Sequence, residues 1–306
     1  DCVNEVPGPK TLVAEECHLA QWVKRTLERY VDQLIICDPK RNKWIAQDDY
    51  ADDCTSARKL AELLRGGYIK EVVHPDEQGA ALRSLYLHYH NLTRQTTRYK
   101  LMLKATFRQV AITRTKNEPN IYLQDNQDYW LDKLNVFDHL QFRAKHFYDL
   151  LDVLETKRDE AFKRAVNAAK QNNKTFELLQ TVPGVGPVIA TGYMALIDSP
   201  HRFSRKNKLW AYACLSNKRH DSDQNTYVNQ ISKMGCRPLK WNVYQQFNSA
   251  VMRSKTPNGF KHKYNQLLQS GLGKKAIRRH VCRTMLSVIR AMWIKGEPYD
   301  YLKPST

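Results

Sequence analysis

The sequence predicts a mostly parallel α/β domain, a long helical region and a basic, mostly helical C-terminal third, at residues 1–80, 81–180 and 181–306. Three observations carry this reading. Short apolar runs alternate with amphipathic stretches as far as His74, and from Leu82 apolar residues recur at steps of three and four. After residue 200 the cations accumulate. A chain of 306 residues can bury more than one core, and 42% hydrophobic residues with aromatics throughout exclude a disordered chain.

The first strand is "TLVAE", closed by Glu15 and Glu16, and a helix follows through "CHLAQWVKRTLERY". Glu16 is expected to face solvent on that helix. "LIIC" is a second strand, ended by Asp38-Pro39, and "YIKEVVHP" a third. Between them "DDCTSARKLAELLRGG" reads as a helix stopped by Gly66-Gly67. In parallel sheets ligands sit beyond the carboxyl ends of strands, where Glu15 lies. Asp52 and Asp53 open the third-strand-bound helix, and on residue type alone they read as a helix cap rather than half of a metal site.

Leu82, Leu85, Tyr89, Leu92, Thr96, Tyr99 and Leu103 form a heptad seam, and a second long helix is predicted from about Leu140 to Leu179. Two such helices make either an antiparallel hairpin or a coiled-coil arm for a second protomer. "TVPGVGPVIA" then sets Pro183-Gly184-Val185-Gly186 before a helix, the build of a helix-hairpin-helix whose backbone N–H groups grip a phosphate. An ordinary interhelical turn is the plain alternative. Arg202, Arg205, Lys206 and Lys208 follow directly and favour the phosphate reading. In the last helix Ile277, Val281, Met285, Val288 and Met292 form an apolar core stripe. Its N-terminal half carries Lys274, Lys275, Arg278, Arg279 and Arg283, where positive charge opposes the helix dipole.

Residues 201–306 hold 21 Lys and Arg against four acids, an excess of 17 within a chain of net charge +18. That asymmetry marks a polyanion partner, and nucleic acid fits the Asn-, Gln- and Tyr-rich setting better than a membrane surface. No apolar run approaches the ~20 residues that span a bilayer. "DCVNEVPGPK" lacks the build of a signal peptide, and a chain opening on Asp1 is expected to begin inside a longer gene product. Seven scattered cysteines without C-x-x-C pairs suit reduced intracellular thiols, not a disulfide framework or a zinc site.

Six segments in order resemble the insertion-sequence-110 family of transposases: "LVAEECHLAQWV", "LIICDPKRNKWIA", "DDCTSARKLAELLRGGYIKEVVHP", "TVPGVGPVIA", "FSRKNKLWAYACL" and "SDQNTYVNQISKMGCRPLKW". The resemblance implies a RuvC-like (RNase H-like) N-terminal domain and a C-terminal domain carrying a nucleophilic serine. Four acids of the first domain hold divalent metal; one matches Glu15 and the third matches Asp53. This makes Asp53 a ligand for Mg²⁺ and leaves Asp52 as the cap. The fourth falls on Ser56, and no residue of the chain supplies the first. The serine matches Ser222, flanked by Asp221 and Asp223 in a loop. Lys233 and Arg237, in the last segment, join Gly184, Gly186, Arg202, Arg205, Lys206, Lys208, Lys274, Lys275, Arg278 and Arg279 as nucleic-acid-binding residues.

What the resemblance implies, as a whole, is an RNA-guided DNA recombinase acting through a phosphoserine intermediate with Mg²⁺. Its partners would be a structured guide RNA, target and donor DNA, and further copies of the chain in a dimer or tetramer. Its setting would be a bacterial or archaeal cytoplasm, at the nucleoid. Ser56 favours a rival, a degenerate relative that binds RNA and DNA without catalysis. A nuclease using the metal site alone is disfavoured by the same residue.

Overall fold

The structure is a computed structural model that describes residues 2–39, 42, 52–222, 225–231 and 234–301. It is mostly helical and divides into two compact units, Asp1–Ala80 and Ala81–Thr306. Among the described residues no helix is long and apolar enough to cross a membrane.

The first unit opens with a short helix, α1 (Cys2–Glu5), and continues as β1 (Thr11–Glu15), α2 (Ala20–Leu27), β2 (Gln33–Cys37) and α3 (Asp53–Arg65). Strands β1 and β2 pair in parallel, from Thr11 opposite Gln33 to Glu15 opposite Cys37. A parallel pair needs a crossover, and α2 supplies it. The third predicted strand is not one. "YIKEVVHP" contributes a single antiparallel bridge, Glu71 to Cys37, flanked by Asp38 N–H donating to the Lys70 carbonyl at 2.9 Å. Gly67, with φ of 70°, follows the end of α3. Lys70 and Glu71 interrupt its apolar run. The unit's small core is Cys37 and Leu60, with Val13, Leu63 and Ile69 against them.

The second unit begins with a helical hairpin. α4 (Glu77–Arg108) and α6 (Asp138–Ala169) are 32 residues each, about 48 Å long, with α5 (Gln127–Asp132) packed between their far ends. They run antiparallel: Tyr99 meets Phe147, and Tyr89 meets Phe162 near the other end. Lys100 pairs with Glu155 at 2.5 Å. Leu103, Phe107, Trp130, Leu134 and Tyr148 are fully enclosed at the tip. The predicted seam is thus closed by α6 of the same chain, with Thr96 and Leu103 buried and Leu85 and Leu92 half-buried. The second helix stops at Ala169, ten residues before its predicted end. Asn172 accepts from Thr175 N–H and restarts the chain as α7 (Asn173–Gln180), because a Gln-Asn-Asn run favours a cap over a helix interior.

Beyond α7 come α8 (Pro187–Ile197), α9 (Lys206–Tyr212), β3 (Asn217–Ser222), β4 (Asn225–Ile231), α10 (Arg237–Phe247), α11 (Gly259–Gln269) and α12 (Lys274–Lys295). A π-helical turn, Asn248–Arg253, extends α10. α8 is apolar on every side and sits at the centre, with Ala190, Tyr193, Leu196 and Ile197 enclosed. Ile277, Val281, Met285 and Ile289 of α12 pack on the same core, as the predicted stripe requires. The antiparallel β3–β4 hairpin was not predicted, since "NKRHDS" has no apolar alternation to mark a strand.

Candidate nucleic-acid interface and serine hairpin

The turn between α7 and α8 is built around Gly184, whose φ of 79° suits glycine. A Cβ there would meet Ala250 Cβ at 2.7 Å and the Gln246 carbonyl at 2.8 Å, so the turn lies directly on α10 and its π-helical extension. Two buried amides hold it from below. Gln246 Nε2 donates to the Pro183 carbonyl at 3.2 Å while its Oε1 accepts from Tyr193. Asn242 Nδ2 donates to the Ile189 carbonyl at 3.0 Å while its Oδ1 accepts from Tyr86.

Gly186 caps α8 in an extended conformation, Pro187 occupies the first helical position, and no atom of the described residues would meet a Cβ on Gly186 within 4 Å. No described residue accepts from the amides of Gly184, Gly186 or Val188. Helix-terminal amides of this kind suit an anion. Beside the turn lies a cleft of about 440 Å³ lined by Pro183, Gly184, Ser249, Arg253, Ser254 and Thr256. Sequence reasoning missed Arg253, because only the fold brings it beside a glycine some seventy positions earlier.

A cationic face surrounds the serine hairpin. Trp210 is its floor: its indole N–H donates to the Arg283 carbonyl at 2.9 Å, and Lys206 Nζ and the Arg283 guanidinium lie 5.8 and 5.7 Å from its ring. Arg283 donates to the Leu215 carbonyl at 2.8 Å, and Arg279 donates to Asn217 Oδ1 at 3.3 Å. The two arginines therefore fasten the base of β3. Burial, then the charge of Arg279, draws the Arg283 guanidinium below its usual range. Arg278 stacks 4.4 Å from the Tyr244 ring, which Lys240 also approaches at 5.7 Å.

Arg205, Lys206, Lys208, Lys274, Lys275 and Arg237 are exposed, and none has a carboxylate partner among the described residues. Arg202 stands apart. It is half-buried, donates to the Ile197 carbonyl at 2.9 Å and stacks on Phe203 and Tyr212, so it anchors the end of α8. Trp210 and Tyr244 were not singled out from the sequence. The signal lay in aromatics interleaved with cations, as in "RKNKLW".

Ser222 is the last residue of β3, paired with Asn225, and so stands at the end of a strand rather than in the expected loop. Asp221 pairs with Thr226 in the same ladder. Asp223 and Lys233 lie outside the described residues.

In the first unit Glu15 ends β1 and Asp53 begins α3, both exposed, with α3 packed on β1 and Val13 and Leu63 both against the Cys37–Leu60 core. Asp52 is the cap: Thr55 N–H and hydroxyl donate to its carboxylate at 2.6 and 3.1 Å. These two bonds hold the carboxyl below its ordinary range. Glu16 departs from expectation. It lies past β1, before α2, and bonds His74 Nε2 at 2.5 Å. Among the described residues no three His, Cys, Asp or Glu side chains gather into a metal-binding group.

A glycine turn with open amides and a cation–aromatic face beneath a β-hairpin together make a basic, helical surface of a kind that suits an anion. Residues 176–265 match the family model Transposase IS116/IS110/IS902 family, so this part of the chain is similar to insertion-sequence transposases. The match runs from α7 into α11 and encloses the glycine turn, α8, α9, the serine hairpin and α10. No curated protein matches the chain.

Proposed function

We propose that the protein is an RNA-guided DNA recombinase whose nucleophile is Ser222, working in a dimer or tetramer of the chain. The observation that carries the reading is the junction of serine hairpin and cationic face inside the transposase match: Arg279 and Arg283 secure Asn217 and Leu215 at the root of the strand that ends on Ser222.

In the proposed reaction the glycine turn, Arg253 and the α9–α12 face hold DNA phosphates while base pairing with the RNA selects the sequence. The Ser222 hydroxyl attacks phosphorus, a P–O bond to the sugar breaks, and the released oxygen takes up a proton as the serine loses one. The strand is then held as a phosphoserine diester. Attack by the hydroxyl end of another strand reverses the exchange and regenerates Ser222. The cations around the hairpin stabilise negative charge that builds on the phosphate.

The RuvC-like reading of the first unit rests on its parallel β1–β2 pair and the carboxylates at its strand and helix ends. Mg²⁺ takes one or two protein carboxylates and leaves its other positions to water and phosphate, so the exposed Glu15 and Asp53 fit it as a partial donor set. When bound there it would offset charge on a DNA phosphate. Exposed apolar residues on α6, Phe142, Leu150 and Val153, support assembly through the hairpin. Ser56 favours the second reading, a relative that binds RNA and DNA without strand exchange.

Labelled DNA incubated with protein, RNA and Mg²⁺ and resolved by denaturing electrophoresis separates the two. The recombinase yields an adduct of protein plus DNA that Ser222→Ala lacks at unchanged RNA and DNA affinity. A wild-type protein that binds both and never forms the adduct is the non-catalytic relative.

A further inference from the structure

A second aromatic site lies along α4 of the helical hairpin, outside the transposase match on one wall and inside it on the other. A groove of about 510 Å³ runs along α4, lined by Thr93, Arg94, Thr97, Arg98 and Leu101, and Trp241 of α10 forms its opposite side. Trp241 is half-buried, and the His90 ring stands edge-on to it at 4.9 Å. His90 is 93% buried and its Nε2 has no hydrogen-bond partner among the described residues. Burial, then the charge of Arg94, keeps it below its usual pKa. A neutral imidazole therefore braces the indole.

Arg94 and Arg98 are one helical turn apart, and neither has a carboxylate partner among the described residues. Thr93 and Thr97 donate their hydroxyls to the Tyr89 and Thr93 carbonyls, leaving lone pairs as acceptors. A cation pair beside a braced aromatic and an apolar wall is complementary to one chemistry: a flat base with phosphates on either side.

We infer that this groove takes an unpaired nucleotide of a single-stranded nucleic acid, its base stacked on Trp241 and its flanking phosphates on Arg94 and Arg98. The inference deepens the nucleic-acid part of the proposed function and does not depend on Ser222. Bases inside a duplex are already stacked and paired, so none can enter without being flipped out. The groove thus separates single strands and loops from the duplex DNA held by the cationic face.

The test measures binding of the full chain to RNA and DNA oligonucleotides of one sequence, each with one unpaired 2-aminopurine, and to the matching duplexes. Trp241→Ala should weaken single-strand binding by roughly tenfold and remove the stacking quench of 2-aminopurine, while Trp241→Phe keeps both. Duplex affinity should not change, and the Arg94→Ala/Arg98→Ala double variant should weaken single-strand binding with a shallower salt dependence. The RNA and DNA arms tell which strand uses the site. Unchanged single-strand affinity in folded Trp241→Ala would overturn the inference, as would an equal loss for duplex. A change in the mass of the assembly on Trp241→Ala would assign the groove to a second copy of the chain instead. Loss of the covalent adduct in these variants plays no part in the result, so the site and the serine chemistry fail separately.

Discussion

Gly184 and Gly186 stand two positions apart and do different things. Gly184 needs its positive φ and its missing Cβ, because α10 lies against it; Gly186 needs neither for the fold. Gly184→Ala is therefore expected to cost about 1–3 kcal/mol, read as a lowered denaturation midpoint. Gly186→Ala is expected to leave the midpoint in place and weaken DNA binding, since a methyl would stand where phosphate approaches. A similar division holds for Asp52 and Asp53. The Asp52 carboxylate bonds Thr55 and its pKa is lowered, so its contribution to α3 is present above the ordinary carboxylate range and is lost as pH falls through the lowered value. Asp52→Ala should speed amide exchange at Thr55. Asp53→Asn should leave that exchange unchanged and reduce Mg²⁺ binding, whereas Ser56→Asp should increase it, both read by calorimetry. Residue type and position singled out the two glycines and the Asp52–Asp53 cap, whereas Asp53 as a ligand and Ser56 as a departure came from the resemblance. What type alone could not reveal is that Glu16 turns to His74, because that contact joins segments 58 positions apart.

The helical hairpin shows what periodicity can and cannot give. Steps of three and four from Leu82 fall on a face that is partly enclosed, with Thr96 and Leu103 buried and Tyr86 and His90 buried beside it, and the same spacing serves a helix of the same chain or of another. Here α6 fills it, and charged residues at the seam would melt the hairpin rather than dissociate an assembly. The exposed apolar stripe lies elsewhere, with Phe142 at 62% and Val153 at 58% exposure. The double change Leu150→Glu/Val153→Glu is expected to lower the mass seen by light scattering while helicity is retained, whereas Leu103→Glu should lose helicity. An unchanged mass for the stripe variant of an oligomeric parent would place assembly on another surface. Helix ends and the β3–β4 hairpin were less legible. Backbone pairing holds that hairpin together, and its side chains carry no alternating pattern for a reader to find.

Across the whole molecule, charge is the feature the sequence announced most directly, and the fold explains its use. Cations scattered over a hundred positions converge because α12 lays Arg278, Arg279 and Arg283 beside α9, α10 and the root of β3. Binding should fall steeply with salt, and Lys274→Glu/Lys275→Glu should weaken it alike for all DNA sequences, reducing the slope of log K against log salt by up to ~1.8 if both contact phosphate. The transposase match covers the same glycine turn and serine hairpin that this face surrounds. The central claim is that the hairpin's terminal serine becomes joined to DNA. Protease digestion and mass spectrometry of the protein–DNA adduct, after nuclease trimming, tests it most directly. The account predicts a nucleotide remnant on the peptide containing Ser222; a remnant on any other residue would contradict it.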